Sequence, residues 1–389
     1  MFRLPLFPVA LALLLAACRG PDAALVFIGT FTEGRGNDGE GIYACRFDEA
    51  SGRLTKIGLA AATPNPSFLA FHPKLPVLYS VNAIQRFQGK VTGSVSAFAV
   101  DPQRGTLRLL GKASSAGLGP CDLIVDHRGR HLLVANYGAG NVAVLRLRPD
   151  GHPGAVLSVL AHRGKGADPR RQAAPHCHSV LLDPASRFAI VCDLGIDRVL
   201  THRFDPETGQ LTADTSVQLR PGSGPRRLAF HPAGHLAYGI HELDTTLTRY
   251  RYQPGIGRLE PVQTVRTVPQ GAPPSTGAEV AVHPSGRFVY ASNRGHDSIA
   301  VFAAAPHTGE LTLVAHTAVG GRTPRHFTID PSGRYLLAAA QGSHRVVVFR
   351  IHQESGVLLP TGNSVVVPSP VCVRFAPSFQ ESAPQKRDP

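Results

Sequence analysis

The run Val280-Ala281-Val282-His283-Pro284-Ser285-Gly286-Arg287-Phe288-Val289-Tyr290-Ala291 decides the fold. A short apolar stretch enters a His-Pro-Ser-Gly turn, and a second short apolar stretch leaves it. The turn recurs as His72-Pro73-Lys74, Asp126-His127-Arg128-Gly129, Asp183-Pro184-Ala185-Ser186, His231-Pro232-Ala233-Gly234 and Asp330-Pro331-Ser332-Gly333, with a last copy at Ala376-Pro377-Ser378. Successive anchors lie 54, 57, 48, 52 and 47 residues apart. An alternating segment follows each pair, such as Val142-Ala143-Val144-Leu145 or Val346-Val347-Val348-Phe349. Then Gly-x-Leu opens a fourth strand, at Gly52/Leu54, Gly105/Leu107, Gly209/Leu211, Gly257/Leu259, Gly309/Leu311 and Gly356/Leu358. Four short strands in a unit of roughly 50 residues are the signature of a β-propeller blade.

The two ends complement each other. Leu25-Val26-Phe27-Ile28 matches a second strand but has no first strand before it, whereas Val371-Cys372-Val373-Arg374-Phe375 matches a first strand with nothing after it. One blade is therefore expected from both termini, which closes the ring and hides its sheet edges. The expected fold is all-β: a single seven-bladed propeller over residues 25–378, four antiparallel strands per blade, with a polar tail over 379–389. The 40 Gly and 33 Pro in 389 residues argue against a helical bundle, and 43% apolar content argues against disorder.

Met1-Phe2-Arg3, an apolar Leu4–Leu15 broken by Pro5 and Pro8, and Leu15-Ala16-Ala17-Cys18 read as a secretory signal over residues 1–17, too short to span a bilayer. Its ending resembles a lipobox. Cys18 is then the lipidated N-terminus, residues 18–24 form a tether, and the protein is a periplasmic or cell-envelope lipoprotein held to the membrane through Cys18; a misassigned start would make it cytoplasmic. Lys and Arg outnumber Asp and Glu by 40 to 27. That surplus permits an anionic ligand, but no basic run exceeds three residues and no recognition helix is present, so no nucleic acid partner is expected. Five cysteines remain beyond Cys18 (Cys45, Cys121, Cys177, Cys192 and Cys372). An odd number leaves at least one without an intrachain partner, and no spacing among them reads as a zinc site.

Repeat register places the unusual residues. Second strands end ten residues past each anchor, at Asn82, Asn136, Asp193, His241, Asn293 and Ala340, followed by Ala83, Tyr137, Leu194, Glu242, Arg294 and Gln341. First strands, which line the channel, begin near Ser67, Cys121, His178, Arg226, Ala278 and Arg325. Antiparallel pairing brings those ends and starts to one rim of the ring. His176, His178, Arg226, Arg227, Glu242, Glu279, Arg294, Arg325 and His326 are expected to meet there. Several arginines at one mouth repel one another unless an anion offsets them; exposed Arg–Glu pairs that cap loops are the plainer alternative. Gly34-x-Gly36-x-x-Gly39 leads into a strand, not a helix, so it makes no phosphate cradle. His176 and His178 share a face and could hold a metal, but no carboxylate neighbour in sequence completes the set. Hydrogen bonding to substrate or rim carboxylates is the better reading, and neither metal nor organic cofactor is expected.

These motifs carry a resemblance. Asn65-Pro66-Ser67-Phe68-Leu69-Ala70, Ala135-Asn136-Tyr137, Pro175-His176-Cys177-His178, Asp193-Leu194-Gly195-Ile196-Asp197, Gly224-Pro225-Arg226, His241-Glu242-Leu243, Ala278-Glu279-Val280, Ala291-Ser292-Asn293-Arg294-Gly295 and Pro324-Arg325 resemble the seven-bladed-propeller lactonase family. Its members include propeller-type bacterial 6-phosphogluconolactonases and the fungal 3-carboxy-cis,cis-muconate lactonizing enzyme. The resemblance implies a site built from His176 or His178, Arg226, Glu242 and Arg294, with Glu242 or a rim histidine as general base. Arg325, Arg227, His326, Glu279, Tyr137 and Gln341 would contact the substrate, a small lactone bearing a carboxylate or phosphate. Arg227 stands where the family usually has His, and Ala83 and Ala340 replace polar strand ends. Two other functions fit the same rim: cycloisomerisation of the muconate type, and a non-catalytic envelope propeller that binds a ligand or protein partner. A monomer is expected.

Overall fold

The computed structural model describes residues 23–378 apart from Arg35. They form seven four-stranded antiparallel sheets. Blade 1 is built from both ends: Pro370–Phe375 is its inner strand and pairs with Ala24–Thr30, followed outward by Gly41–Asp48 and Arg53–Ala62. The pairs Val26↔Phe375 and Ile28↔Val373 fix that closure, and Phe47 packs edge-on against both Phe375 and Tyr335 across it. The inner strands of blades 2 to 7 are Leu69–Phe71, Pro120–Val125, Cys177–Leu182, Pro225–Phe230, Thr276–Val282 and Pro324–Ile329. Adjacent inner strands touch around the channel. Second strands such as Val77–Asn82 and Leu236–His241 are buried along their whole length, while outer strands such as Leu211–Gln218 are mostly exposed.

The repeated turns use two chemistries. Where the anchor is His, its Nε2 bonds across to the next blade: His72 to the Gly129 carbonyl at 3.0 Å, His231 to Gly286 at 3.0 Å, His283 to Gly333 at 2.8 Å. The receiving glycine is required. Gly286 has φ +75, and a Cβ there would meet His231 Nε2 at 2.5 Å. Where the anchor is Asp, the carboxylate accepts backbone N–H groups of its own turn, as Asp183 does from Arg187 and Phe188. The expected signal (1–17), Cys18, most of the tether and the 379–389 tail lie outside the described residues. No helix of the described residues is long and apolar enough to cross a membrane.

Candidate active site

The inner strands begin with an irregularity that aims side chains into the channel. Cys177 pairs with Asp193 and Ser179 with Cys192, so His178 between them has no partner in register. The same skip falls on Arg226 in blade 5, Arg325 in blade 7, Cys121 in blade 3 and Val371 in blade 1. In blade 6 it covers Ala278 and Glu279. A bulge turns its extra residue out of the pleat. Here the bulged residues converge: Cys121, His178, Arg226, Glu279, Arg325 and Val371 line one enclosed chamber of about 20 Å³ on the ring axis, roughly the room one water needs. The Pro residues at 120, 225, 324 and 370, each just before a bulged position, were visible in the sequence as a sign of it.

Above the chamber a mouth of about 340 Å³ opens, lined by Phe31, Tyr137, Arg171, His178, Glu242, Arg294 and Arg325 among others. Glu242 is its centre. Its Oε1 accepts from Arg171 Nη2 at 2.5 Å, and its Oε2 from Arg226 Nε and Arg294 Nη2, both at 2.9 Å. Arg226 also donates to the Ala278 carbonyl and Arg294 to that of Gly277. Burial alone would raise the Glu242 carboxyl, but Arg294 and Arg226 outweigh it and hold it well below the usual carboxylate range. Arg325 differs from the other three. Among the described residues it has no carboxylate partner; its guanidinium lies 5.1 Å from the Phe31 ring centroid. Burial, Arg226 and Arg294 push it down to about 9. It is still a cation at neutral pH. His178 Nε2 stands 3.9 Å from Glu242, too far for a hydrogen bond. Burial and Arg226 hold its pKa well below normal, so the ring is neutral.

Not every expected rim residue reaches the mouth. Arg226, Arg227, Glu279 and His326 line the chamber beneath it, and Arg226 reaches the mouth only through its bond to Glu242. Being one residue past a bulge, Arg227 and His326 point away from Arg226 and Arg325. Arg227 bridges Asp122 at 2.9 Å and Glu279 at 2.8 Å while stacking on Phe68. His326 Nδ1 accepts from the Val373 N–H, which puts the ring proton on Nε2, 3.7 Å from Glu279. His176 lies behind the mouth: it stacks on Tyr137 with centroids 4.3 Å apart, and its Nδ1 bonds the Tyr137 carbonyl. It shares no ligand position with His178. Gln341 starts a 3-10 turn and lines neither space. Arg226, Arg227 and Arg294 are paired to glutamates as in the plainer reading, but the pairs are largely buried, not exposed loop caps.

Arg171 was not found from the sequence. It sits on the long connection between Pro153–Ala161 and Cys177–Leu182, outside the repeat register. Gln172 beside it is buried and pins that loop, donating to Leu194 O at 2.8 Å and Asp197 Oδ1 at 2.7 Å. The basic composition of the loop, with Arg163, Lys165, Arg170 and Arg171, is the signal the sequence offers. All five described cysteines are free thiols.

A channel-mouth cleft on a propeller ring, with cations grouped about one carboxylate, defines a class of small-molecule enzyme site. Within that class, residues 25–375 match the family model described as Lactonase, 7-bladed beta-propeller. The chain is 36% identical over 350 residues to the 6-phosphogluconolactonase of Bacillus subtilis, covering 90% of this chain and 97% of that one. It is 30% identical to the 6-phosphogluconolactonase of Formosa agariphila over 310 residues, 78% and 86% of the two chains. The solved periplasmic gluconolactonase of Pseudomonas aeruginosa superposes with a TM-score of 0.85 at 34% identity, over 92% of this chain and 99% of that one. This chain belongs to the seven-bladed β-propeller lactonase family, a family of lactone-hydrolysing enzymes.

Proposed function

We propose that the protein hydrolyses an anionic, sugar-type lactone of the 6-phosphogluconolactone kind at the arginine mouth. Arg325 carries the proposal: a guanidinium with no carboxylate partner among the described residues, beside Arg226 and Arg294, at a mouth large enough for one sugar acid. Arg325 binds the phosphate or carboxylate. Arg226 and Arg294 face the lactone carbonyl and stabilise the oxyanion that forms on it. Glu242 orders the arginines; both of its oxygens are occupied by guanidinium groups, which makes it a weak base. His178, neutral and without a side-chain hydrogen-bond partner among the described residues, takes the proton from water. Hydroxide oxygen adds to the carbonyl carbon, the ring C–O bond breaks, and His178 returns the proton to the leaving alkoxide. Tyr137 walls the mouth opposite.

The lipobox-like Leu15-Ala16-Ala17-Cys18 supports an envelope location with a lipid anchor on Cys18, as does the periplasmic relative. A pH-stat assay tests the activity. Acid release from 6-phosphogluconolactone should exceed both the spontaneous rate and the enzyme's rate on gluconolactone. Arg325→Met should erase the preference between them. No acid release across phosphorylated, carboxylated and neutral lactones would overturn the proposal and favour a binding propeller.

A further inference from the structure

Behind the mouth lies a second group of chemically active side chains that the lactonase reading does not use. His162 follows the outer strand of blade 3, Cys177 opens the inner strand of blade 4, and Asp193 ends the second strand of that blade. His162 Nδ1 is 2.7 Å from Asp193 Oδ2 and 3.2 Å from Cys177 Sγ, and Sγ is 3.5 Å from the same carboxylate oxygen. The side chains of His162 and Asp193 are 3% and 0% exposed, and Cys177 is buried. None of the three lines the mouth or the chamber.

We propose that His162, Cys177 and Asp193 bind one divalent cation of the zinc class and that the ion fastens the Arg171 loop to blade 4. The donor set is the first argument. A thiolate, an imidazole and a carboxylate select zinc or cobalt over magnesium or calcium. Around tetrahedral zinc, donor atoms stand about 3.3–3.5 Å apart. The 3.5 Å Sγ–Oδ2 edge already matches, the 3.2 Å Sγ–Nδ1 edge is short by a few tenths of an ångström, and the 2.7 Å Nδ1–Oδ2 edge must open by about 0.6 Å. Charge is the second argument. A 2+ ion with one thiolate and one carboxylate leaves a buried site with no net charge.

The surroundings are the third argument. A metal-bound histidine is normally held by a partner on its other nitrogen, and a ligating carboxylate by donors on its other oxygen. Both supports are present. His162 Nε2 meets His202 Nε2 at 3.0 Å, and Asp193 Oδ1 accepts from the backbone N–H of His176 at 2.7 Å and of Gly195 at 3.0 Å. Without an ion, one imidazole N–H and one S–H compete for a single carboxylate oxygen. On binding, the thiol proton leaves to solvent and the His162 proton moves from Nδ1 to Nε2, toward His202. Cysteine spacing gave no sign of this site because its ligands are three residue types from three separate elements.

The loop that begins at His162 carries Arg171 to Glu242 and ends at His176, so the ion would hold one wall of the mouth in place. Cobalt(II) chloride added to chelator-treated full-length protein tests the site. The expected result is stoichiometric uptake with a near-ultraviolet thiolate-to-cobalt band, displaced by zinc, and a higher melting temperature with zinc present. Cys177→Ser should fold, by circular dichroism, and lose the band. His202→Phe keeps all three ligands and should weaken uptake by roughly 10- to 100-fold. No stoichiometric uptake by the natural protein, or an unchanged band in Cys177→Ser, would overturn the proposal. Neither readout depends on lactone turnover, so this site and the lactonase assignment stand or fall separately.

Discussion

Glu242 and Glu279 lie in neighbouring blades, one above the other along the channel, and their surroundings drive them in opposite directions. Glu242 meets three guanidinium groups and is held ionised. Glu279 meets one, Arg227, which it shares with Asp122, and burial outweighs that partner so that its pKa is raised. The charge counts differ in the same sense. Around Glu242, Arg171, Arg226 and Arg294 all pair with the one carboxylate, and Arg325 stands beside them with none among the described residues. Arg227, by contrast, is bridged between two carboxylates, Asp122 and Glu279. A matched set holds the inner strands together; a surplus of cations stores affinity for an anion. Two arginines two blades apart, Arg227 and Arg325, therefore serve different ends although each stacks on a phenylalanine ring.

The strongest way to break the comparison is to remove the matched cation. Arg227→Met leaves Asp122 and Glu279 buried without their shared guanidinium. Stability should fall by about 3–5 kcal/mol, the usual result when one partner of a buried ion pair is deleted. Urea denaturation reads this directly. A loss below about 1 kcal/mol, the range of exposed pairs, would mean the chamber is solvated and not a structural layer.

The unmatched cation should behave otherwise. Arg325→Met removes a charge that Arg226 and Arg294 repel, so stability should hold or rise. Affinity for the product anion should drop by about 1.5–3 kcal/mol, roughly ten- to hundred-fold. Isothermal titration with 6-phosphogluconate checks it. Equal affinity in the variant and the parent would move the anion to another arginine.

The blade count, the closure through both termini and the second-strand ends were all legible in the sequence, because each depends on a turn motif repeated in register. The match is close: second strands end at Asn82, Asn136, Asp193, His241 and Ala340 as the anchor count requires, and only blade 6 runs one residue further, to Arg294. The split between mouth and chamber was not legible. It depends on the bulge at the start of each inner strand, which gives neighbours different partners: Arg226 goes to Glu242 and Arg227 to Asp122 and Glu279, while Arg325 lies by Phe31 and His326 near Glu279. Period-2 alternation separates such neighbours by face but cannot say which one is skipped. Arg171 was hidden for another reason: its loop has no counterpart in the other blades, so no register reached it.

Arg171 gives a finer test. Its side chain is 39% exposed and comes from a loop, whereas Arg226 is buried and Arg294 mostly covered, both on strands. Arg171→Ala should cost no more than about 1 kcal/mol of stability, as solvent screens an exposed pair. Lactone KM should still rise several-fold, because one mouth cation is gone. An unchanged KM would make Arg171 a tether for Glu242 with no part in binding.

The smallest expected effect is the sharpest on the two glutamates, since it turns on sign. Glu242 has a folded pKa below its unfolded value, so it adds stability that is present above the ordinary carboxyl range and is lost as pH falls below it. Glu242→Gln should therefore destabilise at pH 7, and the difference from the parent should shrink on acidification. Glu279 is the reverse case. Its folded pKa is raised by burial against the pull of Arg227, Arg226 and Arg374, with Asp122 adding to the rise; His326 faces it as a neutral ring. The folded state then binds the Glu279 proton more tightly than the unfolded chain does. Above its raised pKa this group subtracts from stability, and the penalty fades as pH falls through that pKa toward the ordinary carboxyl value. Glu279→Gln copies the protonated form. It should leave stability within about 1 kcal/mol of the parent at pH 7, on the stabilising side, as expected when a buried charge is replaced by a neutral group of the same shape. The gain should vanish near pH 4. Melting temperatures of the two variants between about pH 3 and 8 settle the point: curves that approach the parent from opposite sides support two differently built layers, and two curves on the same side would show that Glu279, like Glu242, is held by its arginines.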